Sequence, residues 1–463
     1  MRDYFSYAPA LIIPRVTAAI ILVTFARILN PEEMGLYAFI IIVGEYLDTI
    51  FCRWIRAGYS RFYFSLATQR RPIEITVLIL ICPGLAASII FAFAYAGLDA
   101  NLDMQWASML ALYVSSNFVL YQGLQYLRVR KERRLYVLIE CGRSIFGFGL
   151  AFLLTNHIEM NYTWLMIGTQ STTAFAASYL LLRMVKEQQN RRFEKDIILE
   201  LLRFSAPLLI TFFLAGTILV IDRLMLQSLN GPAMLGVYAV SYQLARPAMD
   251  VLFNTINVGG YPKLVAAYEA EGDIGAQRIL YQKNVAIALV TMPVLFFIVT
   301  TSSQIANLLL EDEYRTVAPT IMSLIAISSF IRGWVRFLVD QVFLLKKDTL
   351  TQTWNLAPAT ISIIVASYVL IPIYGVYGAA YSTIIASVIE ALFATWRAQN
   401  RMKFRVFGRE VYIIIISCLV GTTFIIINTM IFNQTGWLCA SIVTLIAYSL
   451  VVRQFGILKF LRN

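Results

Sequence analysis

The chain has 463 residues, 59% of them hydrophobic and only 14% charged, whereas soluble domains average about 45–50% apolar and about 25% charged, so a soluble globular fold is excluded. The net charge is +11, but every basic cluster lies in a short loop, where anionic lipid headgroups account for it and nucleic acid does not. A single histidine, His157 in a predicted loop, argues against histidine-based catalysis. Five cysteines (Cys52, Cys82, Cys141, Cys418 and Cys439) with no C-x-x-C pair argue against a redox motif or a metal site of the usual spacing.

A bilayer core of about 30 Å needs roughly 20 apolar residues per helix. In chain order the apolar runs predict fourteen spans, at 8–29, 34–56, 74–97, 104–127, 135–156, 162–184, 204–228, 234–260, 283–310, 318–345, 353–373, 377–399, 410–430 and 436–453. The first is too long for a signal-peptide core, and no A-x-A site follows it before Pro31, so it is expected to stay in the mature protein. Alternate loops are basic. One set carries Arg61, Arg70 and Arg71; Arg128 to Arg134; Arg183 to Arg203, including Arg191 and Arg192; Lys263 to Lys283; Lys346 and Lys347; and Arg397 to Arg409. The other set is acidic or neutral, with Arg315 as the exception. By the positive-inside rule both termini are expected to be cytoplasmic.

The chain contains a short internal repeat. Pro31-Glu-Glu-Met-Gly35-Leu-Tyr37-Ala38 recurs 201 residues later as Pro232-Ala-Met-Leu-Gly236-Val-Tyr238-Ala239. Each copy joins the first and second helix of one expected half. An even number of helices separates them, so the repeat is parallel, about an axis along the membrane normal. The expected architecture is all-α, with two six-helix lobes at 1–200 and 201–400 around a central cavity. Two further helices occupy 401–463, and the polar segment 183–203 links the lobes.

Charged side chains inside a span are costly and mark wet cavities or ion pairs. Arg15, Arg53, Arg246, Arg332 and Arg336 are the candidate lining of a cationic cavity, and Asp48, Glu140 and Asp250 are candidate ion-coupling carboxylates. Arg246 with Asp250, and Arg336 with Asp340, stand four apart and suit pairing on one helix face. Arg56, Asp222 and Arg223 sit near span ends, where snorkelling to the interface accounts for them. Guanidinium groups match phosphate oxygens bidentately, so several arginines in one cavity point to an anionic, phosphate-bearing cargo. Glu45, Asp48 and Glu140 keep a cationic cargo open. No phosphate-binding G-x-x-x-x-G-K-[ST], H-E-x-x-H or G-x-S-x-G motif is present, so the reading is a secondary transporter with no enzymatic activity, cofactor or metal.

Several stretches carry a resemblance. Arg203-Phe-Ser205-Ala-Pro207-Leu208, Ile221-Asp222-Arg223-Leu-Met-Leu226 and Gly236-Val-Tyr238-Ala239 look like the seventh helix and its exit in one family. That family is the polysaccharide-transport branch of the multidrug, oligosaccharidyl-lipid and polysaccharide (MOP) exporters, which includes the Wzx-type O-antigen flippases. Leu29 to Tyr37 resembles the matching first-helix exit, and Tyr374-Gly375-Val-Tyr-Gly378-Ala379-Ala380 the turn into helix twelve. The resemblance covers about residues 5–400. It implies a V-shaped, alternating-access transporter in the bacterial inner membrane. The implied cargo is a lipid-linked oligosaccharide, often on undecaprenyl diphosphate, destined for O-antigen and lipopolysaccharide, capsule or exopolysaccharide. It further implies Arg15, Arg53, Arg246 and Arg332 as cavity cations, and a polysaccharide polymerase and glycosyltransferases as partners. Two alternatives stand beside it: a cation-coupled drug or metabolite antiporter of the same fold, and a non-transporting scaffold of a glycan assembly complex.

Overall fold

The computed structural model describes residues 8–68, 73–99, 102–187 and 195–456. Arg70, Arg71, Arg191, Arg192 and the middle of the linker 183–203 lie outside the described residues. Every regular element among the described residues is helical, and each of the fourteen expected spans falls on a helix.

Three features of the sequence fix where these helices begin, turn and end. Asn30 starts the helix Pro31–Asp48, its Oδ1 accepting from Glu33 N at 2.9 Å, with Pro31 in the first turn where its missing N–H costs nothing. Asp103 does the same for Met104–Val129, accepting from Trp106 N at 2.7 Å. The run Lys195–Leu309 is helical throughout by its hydrogen bonds, but it cannot be one rod. Gly231 (φ 78°) and Gly272 (φ 63°) are left-handed, a region that ends a right-handed helix and that glycine enters without a Cβ penalty. Tyr238 donates to Asp222 at 2.6 Å and Lys283 to Asn257 at 2.7 Å, contacts possible only if the chain reverses at each glycine. The run is thus three helices, 195–230, 232–271 and 273–309. Likewise Arg409–Gln454 folds back on itself, since Gly421 abuts the Thr444 side chain.

The chain divides into two compact units, Met1–Ala239 and Val240–Asn463. In the first, the helices Met104–Val129, Arg133–His157 and Tyr162–Glu187 pack through small residues. Gly123 lies on Leu180, Gly147 on Thr172 and Gly168 on the Ala151 backbone, as close helix approach in lipid requires. Gln170 Oε1 accepts from Ser116 Oγ and Asn117 Nδ2, both at 2.9 Å, cross-linking two of these helices. His157 is the last, exposed residue of its helix.

In the second unit, Ala318–Trp334, Thr349–Tyr374 and Val376–Arg401 form the packed centre, the last two joined at Gly375 (φ 55°). Arg315, the basic residue on the otherwise acidic side, serves a helix end. Its Nε donates to Leu310 O at 2.8 Å and it pairs with Asp312, so its charge is spent locally.

Two π-turns interrupt the helices, at Thr49–Arg53 and Val335–Val339. Such turns close i→i+5 hydrogen bonds and recur at functional sites. Both fall beside intramembrane charges.

Candidate functional site

The first unit contains a cavity of about 540 Å³, lined by Glu45, Asp48, Arg53, Arg56, Tyr121, Gln125, Arg128, Tyr136, Glu140 and Phe212, among others. Its walls are the helix 31–68, the ends of Met104–Val129 and Arg133–His157 that meet at the basic loop around 130, and, through Phe212, the helix 195–230. The expected span exit near residue 56 is overrun: the helix continues to Thr68, and this extension forms one wall.

The π-turn 49–53 sets the register of that wall. Adding about one residue to a 3.6-residue turn brings positions eight apart onto one face. Arg56 therefore reaches Asp48: Nη1 donates to Oδ1 at 2.8 Å, and Nη2 to Oδ2. The pair is buried, its side chains 11% and 5% exposed. Arg56 thus does not snorkel to an interface as expected, because a bidentate carboxylate satisfies it inside.

The other carboxylates are also engaged. Glu140 Oε2 accepts from Arg143 Nη2 at 2.7 Å. Glu45 Oε1 accepts from Tyr121 at 2.6 Å and Tyr113 at 3.0 Å. The adjacent Gly44 makes this possible, since a Cβ there would strike the Tyr113 ring. Glu45 is thus the lining carboxylate with no cation partner among the described residues.

Two lining arginines also lack a carboxylate among the described residues. Arg53 is exposed, 3.4 Å from Thr49 Oγ1, with its guanidinium over Phe212 at 5.9 Å. Arg128 donates to Tyr136 OH at 3.0 Å and lies over its ring at 5.5 Å. Arg56 likewise sits over Tyr121, at 5.6 Å. Each lining arginine thus has its guanidinium within cation–π distance of an aromatic ring. The formal lining charge is three cations against three carboxylates. After internal pairing, what remains for a ligand is two guanidiniums and one carboxylate.

Of the five arginines expected to line a cavity, Arg53 alone is part of this lining. Arg15 is exposed on Ala8–Phe25, with no ion pair to a described residue, and lies outside the lining. The other three fall in the second unit. There Arg246 Nε pairs with Asp250 Oδ2 at 3.1 Å, the expected i,i+4 contact, and lies over Tyr242 at 5.3 Å. Arg332 Nε stands 3.6 Å from Glu390 Oε2, whose side chain is buried. Arg336 is exposed beside Phe337. The expected Arg336–Asp340 pair does not form. Asp340 N bonds to Val335 O across the π-turn, so positions four apart no longer overlie, and Asp340 instead accepts from Gln352 Nε2 at 3.4 Å.

The three expected coupling carboxylates are each ion-paired: Asp48 to Arg56, Glu140 to Arg143 and Asp250 to Arg246. Arg128 and Tyr136 were not among the expected site residues, and Glu45 was expected only as a carboxylate that keeps a cationic cargo open. For Arg128 the signal was masked by its place in a basic loop sequence.

A family model described as polysaccharide biosynthesis protein matches residues 24–319. Comparison with curated proteins found no match. Among solved structures, the chain is similar to a lipid II flippase, MurJ, in an inward closed conformation, with a TM-score of 0.81 over 97% of this chain and 98% of that one at 12% identity. An inward-facing multidrug resistance MATE transporter of the MOP superfamily superposes with a TM-score of 0.57 over 85% and 98% of the two chains at 12% identity. A eukaryotic MATE transporter gives 0.53 over 88% and 97% at 11% identity. At these identities the likeness is one of fold.

Proposed function

Because this chain belongs to the polysaccharide biosynthesis protein family, we propose that it is a flippase for a lipid-linked oligosaccharide. It moves its cargo by alternating access from the leaflet at its basic loops to the opposite leaflet. The observation that carries this reading is the pair Arg53 and Arg128, two lining guanidiniums without carboxylate partners in a cavity of about 540 Å³. They are set to take the diphosphate of an undecaprenyl-diphosphate-type carrier by charge-assisted hydrogen bonds. Tyr121, Tyr136 and Phe212 offer ring faces to the sugars. Arg15, Arg246, Arg332 and Arg336 belong to this reading as further cations met along the route. The membrane is the bacterial inner membrane, with both termini cytoplasmic.

The test is to delete the gene and assign lipid-linked oligosaccharide to each leaflet with a membrane-impermeant enzyme, on intact and on broken cells. The expected result is accumulation on the cytoplasmic side, reversed by the wild type but not by Arg53→Gln/Arg128→Gln or Arg246→Gln/Arg332→Gln. A normal leaflet distribution with normal surface glycan would overturn the reading.

Glu45, the lining carboxylate with no cation partner, favours a second reading, a cation-coupled drug or metabolite antiporter. Drug resistance on overexpression with unchanged surface glycan would select it.

A further inference from the structure

The strap 402–408 joins Val376–Arg401 to Arg409–Gln454 in the second unit. It has no regular structure, yet it is pinned. Gln399 Nε2 donates to Phe404 O at 2.8 Å and Phe404 N returns a bond to Gln399 Oε1 at 3.2 Å. Asn284 Nδ2 holds Val406 O, and Trp334 Nε1 holds Asn284 Oδ1 at 3.0 Å. Gly408 fits against the Tyr281 hydroxyl, where a Cβ would collide. The strap is therefore a built surface.

Against it lies an apolar groove of about 490 Å³, walled by Phe330, Trp334, Leu392, Trp396, Phe407 and Val411. Trp396, Leu392 and Phe407 are exposed. In the chain, the groove-lining Val406 and Phe407 are flanked by three exposed cations, Lys403, Arg405 and Arg409. None of the three has an ion pair with a carboxylate among the described residues. Their basic neighbours are already occupied: Arg401 pairs with Asp348 at 2.7 Å, and Arg397 donates to Asn355 Oδ1 at 3.1 Å. Arg405 is oriented by its bond to Phe407 O at 2.7 Å and by the Tyr281 ring at 5.4 Å. Glu410, the adjacent acid, accepts from the Tyr281 hydroxyl.

We propose that this groove and strap bind one anionic glycerophospholipid from the leaflet at the basic loops. An acyl chain fills the groove and the phosphate lies on Lys403, Arg405 and Arg409. The charge complementarity is direct, because guanidiniums beside an apolar slot between membrane helices match a lipid phosphate and its chain together. The site is separate from the first-unit cavity and does not depend on the cargo proposed for it.

The experiment uses the full chain, purified in detergent and stripped of lipid. Phosphatidylglycerol or phosphatidylcholine with the same acyl chains is added, and bound lipids are counted by native mass spectrometry. One phosphatidylglycerol should be retained in preference to phosphatidylcholine by about tenfold or more, given about 1 kcal/mol per basic residue near an anionic headgroup. K403Q/R405Q/R409Q should level the two lipids, K403R/R405K/R409K should keep the preference, and T395W, which fills the groove, should reduce retention of both. The neutralised residues are exposed, and an unchanged unfolding temperature would confirm that the variant is folded. Equal retention of the two lipids by the wild type, or a preference that survives K403Q/R405Q/R409Q, would overturn the proposal. Displacement of phosphatidylglycerol one-for-one by undecaprenyl phosphate would also overturn it, by assigning the groove to a transported lipid.

Discussion

Gly35 and Gly236 each pack against the start of the other's helix: a Cβ on Gly35 would strike the carbonyl oxygen of Pro232, and a Cβ on Gly236 that of Pro31. The contact is reciprocal, as a two-fold relation demands. It joins the two copies of the internal repeat, inside the first unit. The repeat carries Gly in both copies because each glycine must make room for a backbone carbonyl at the start of the other copy's helix.

Replacing either glycine with alanine should therefore loosen this crossing. Overpacking against backbone costs about 1–3 kcal/mol. Leu235 is fully buried beside the crossing. With Leu235→Cys in a chain lacking its native cysteines, labelling by a membrane-impermeant thiol reagent should be slow. Adding Gly35→Ala should speed it several-fold. Unchanged labelling would mean that the crossing does not keep Leu235 buried.

The Asp48–Arg56 pair should be strongly coupled. Asp48→Asn strands a buried guanidinium and should cost about 3–5 kcal/mol, whereas removing both charges restores much of that. Thermal unfolding of the two single variants and of D48N/R56Q closes the cycle. Additive losses would show that the pair contributes no mutual stabilisation.

Glu45→Gln keeps an oxygen to accept from Tyr113 and Tyr121, so the unfolding temperature should change little. If Glu45 exchanges a proton during transport, the variant's transport rate in proteoliposomes should lose its pH dependence. A pH profile parallel to the wild type's would remove Glu45 from that role.

Asp348 precedes Thr349–Tyr374 and accepts from Thr351 N at 3.3 Å, outside the spans. The bonds to Thr351 and then the Arg401 charge hold its carboxyl below the usual range. A depressed folded-state value stabilises above the unfolded one, near 3.9, and that contribution is lost as pH falls through the folded value. Asp348→Asn should therefore lower Tm at neutral pH, and the gap to the wild type should close below about pH 4. A gap independent of pH would assign the effect to packing.

The spans were legible because lipid reads apolar length residue by residue, without reference to packing. Hence 353–373 and 377–399 coincide closely with Thr349–Tyr374 and Val376–Arg401. The pairings around Asp48 and Asp340 were not legible. A 3.6-residue repeat puts Arg336 over Asp340 and keeps Arg56 away from Asp48, and one π-turn in each helix reverses both expectations. Nothing in Thr49–Arg53 marks it as a π-turn by composition. Arg128 was hidden for a different reason: its partner Tyr136 lies on the next helix, across a turn set by Lys131 at φ 61°.

The reversals at Gly231 and Gly272 bear on how the chain enters the bilayer in the first place. A connector of one left-handed residue has no slack to let one helix settle in lipid while its neighbour waits in water. Helices 195–230 and 232–271 must therefore partition as a hairpin, their polar backbone ends crossing together.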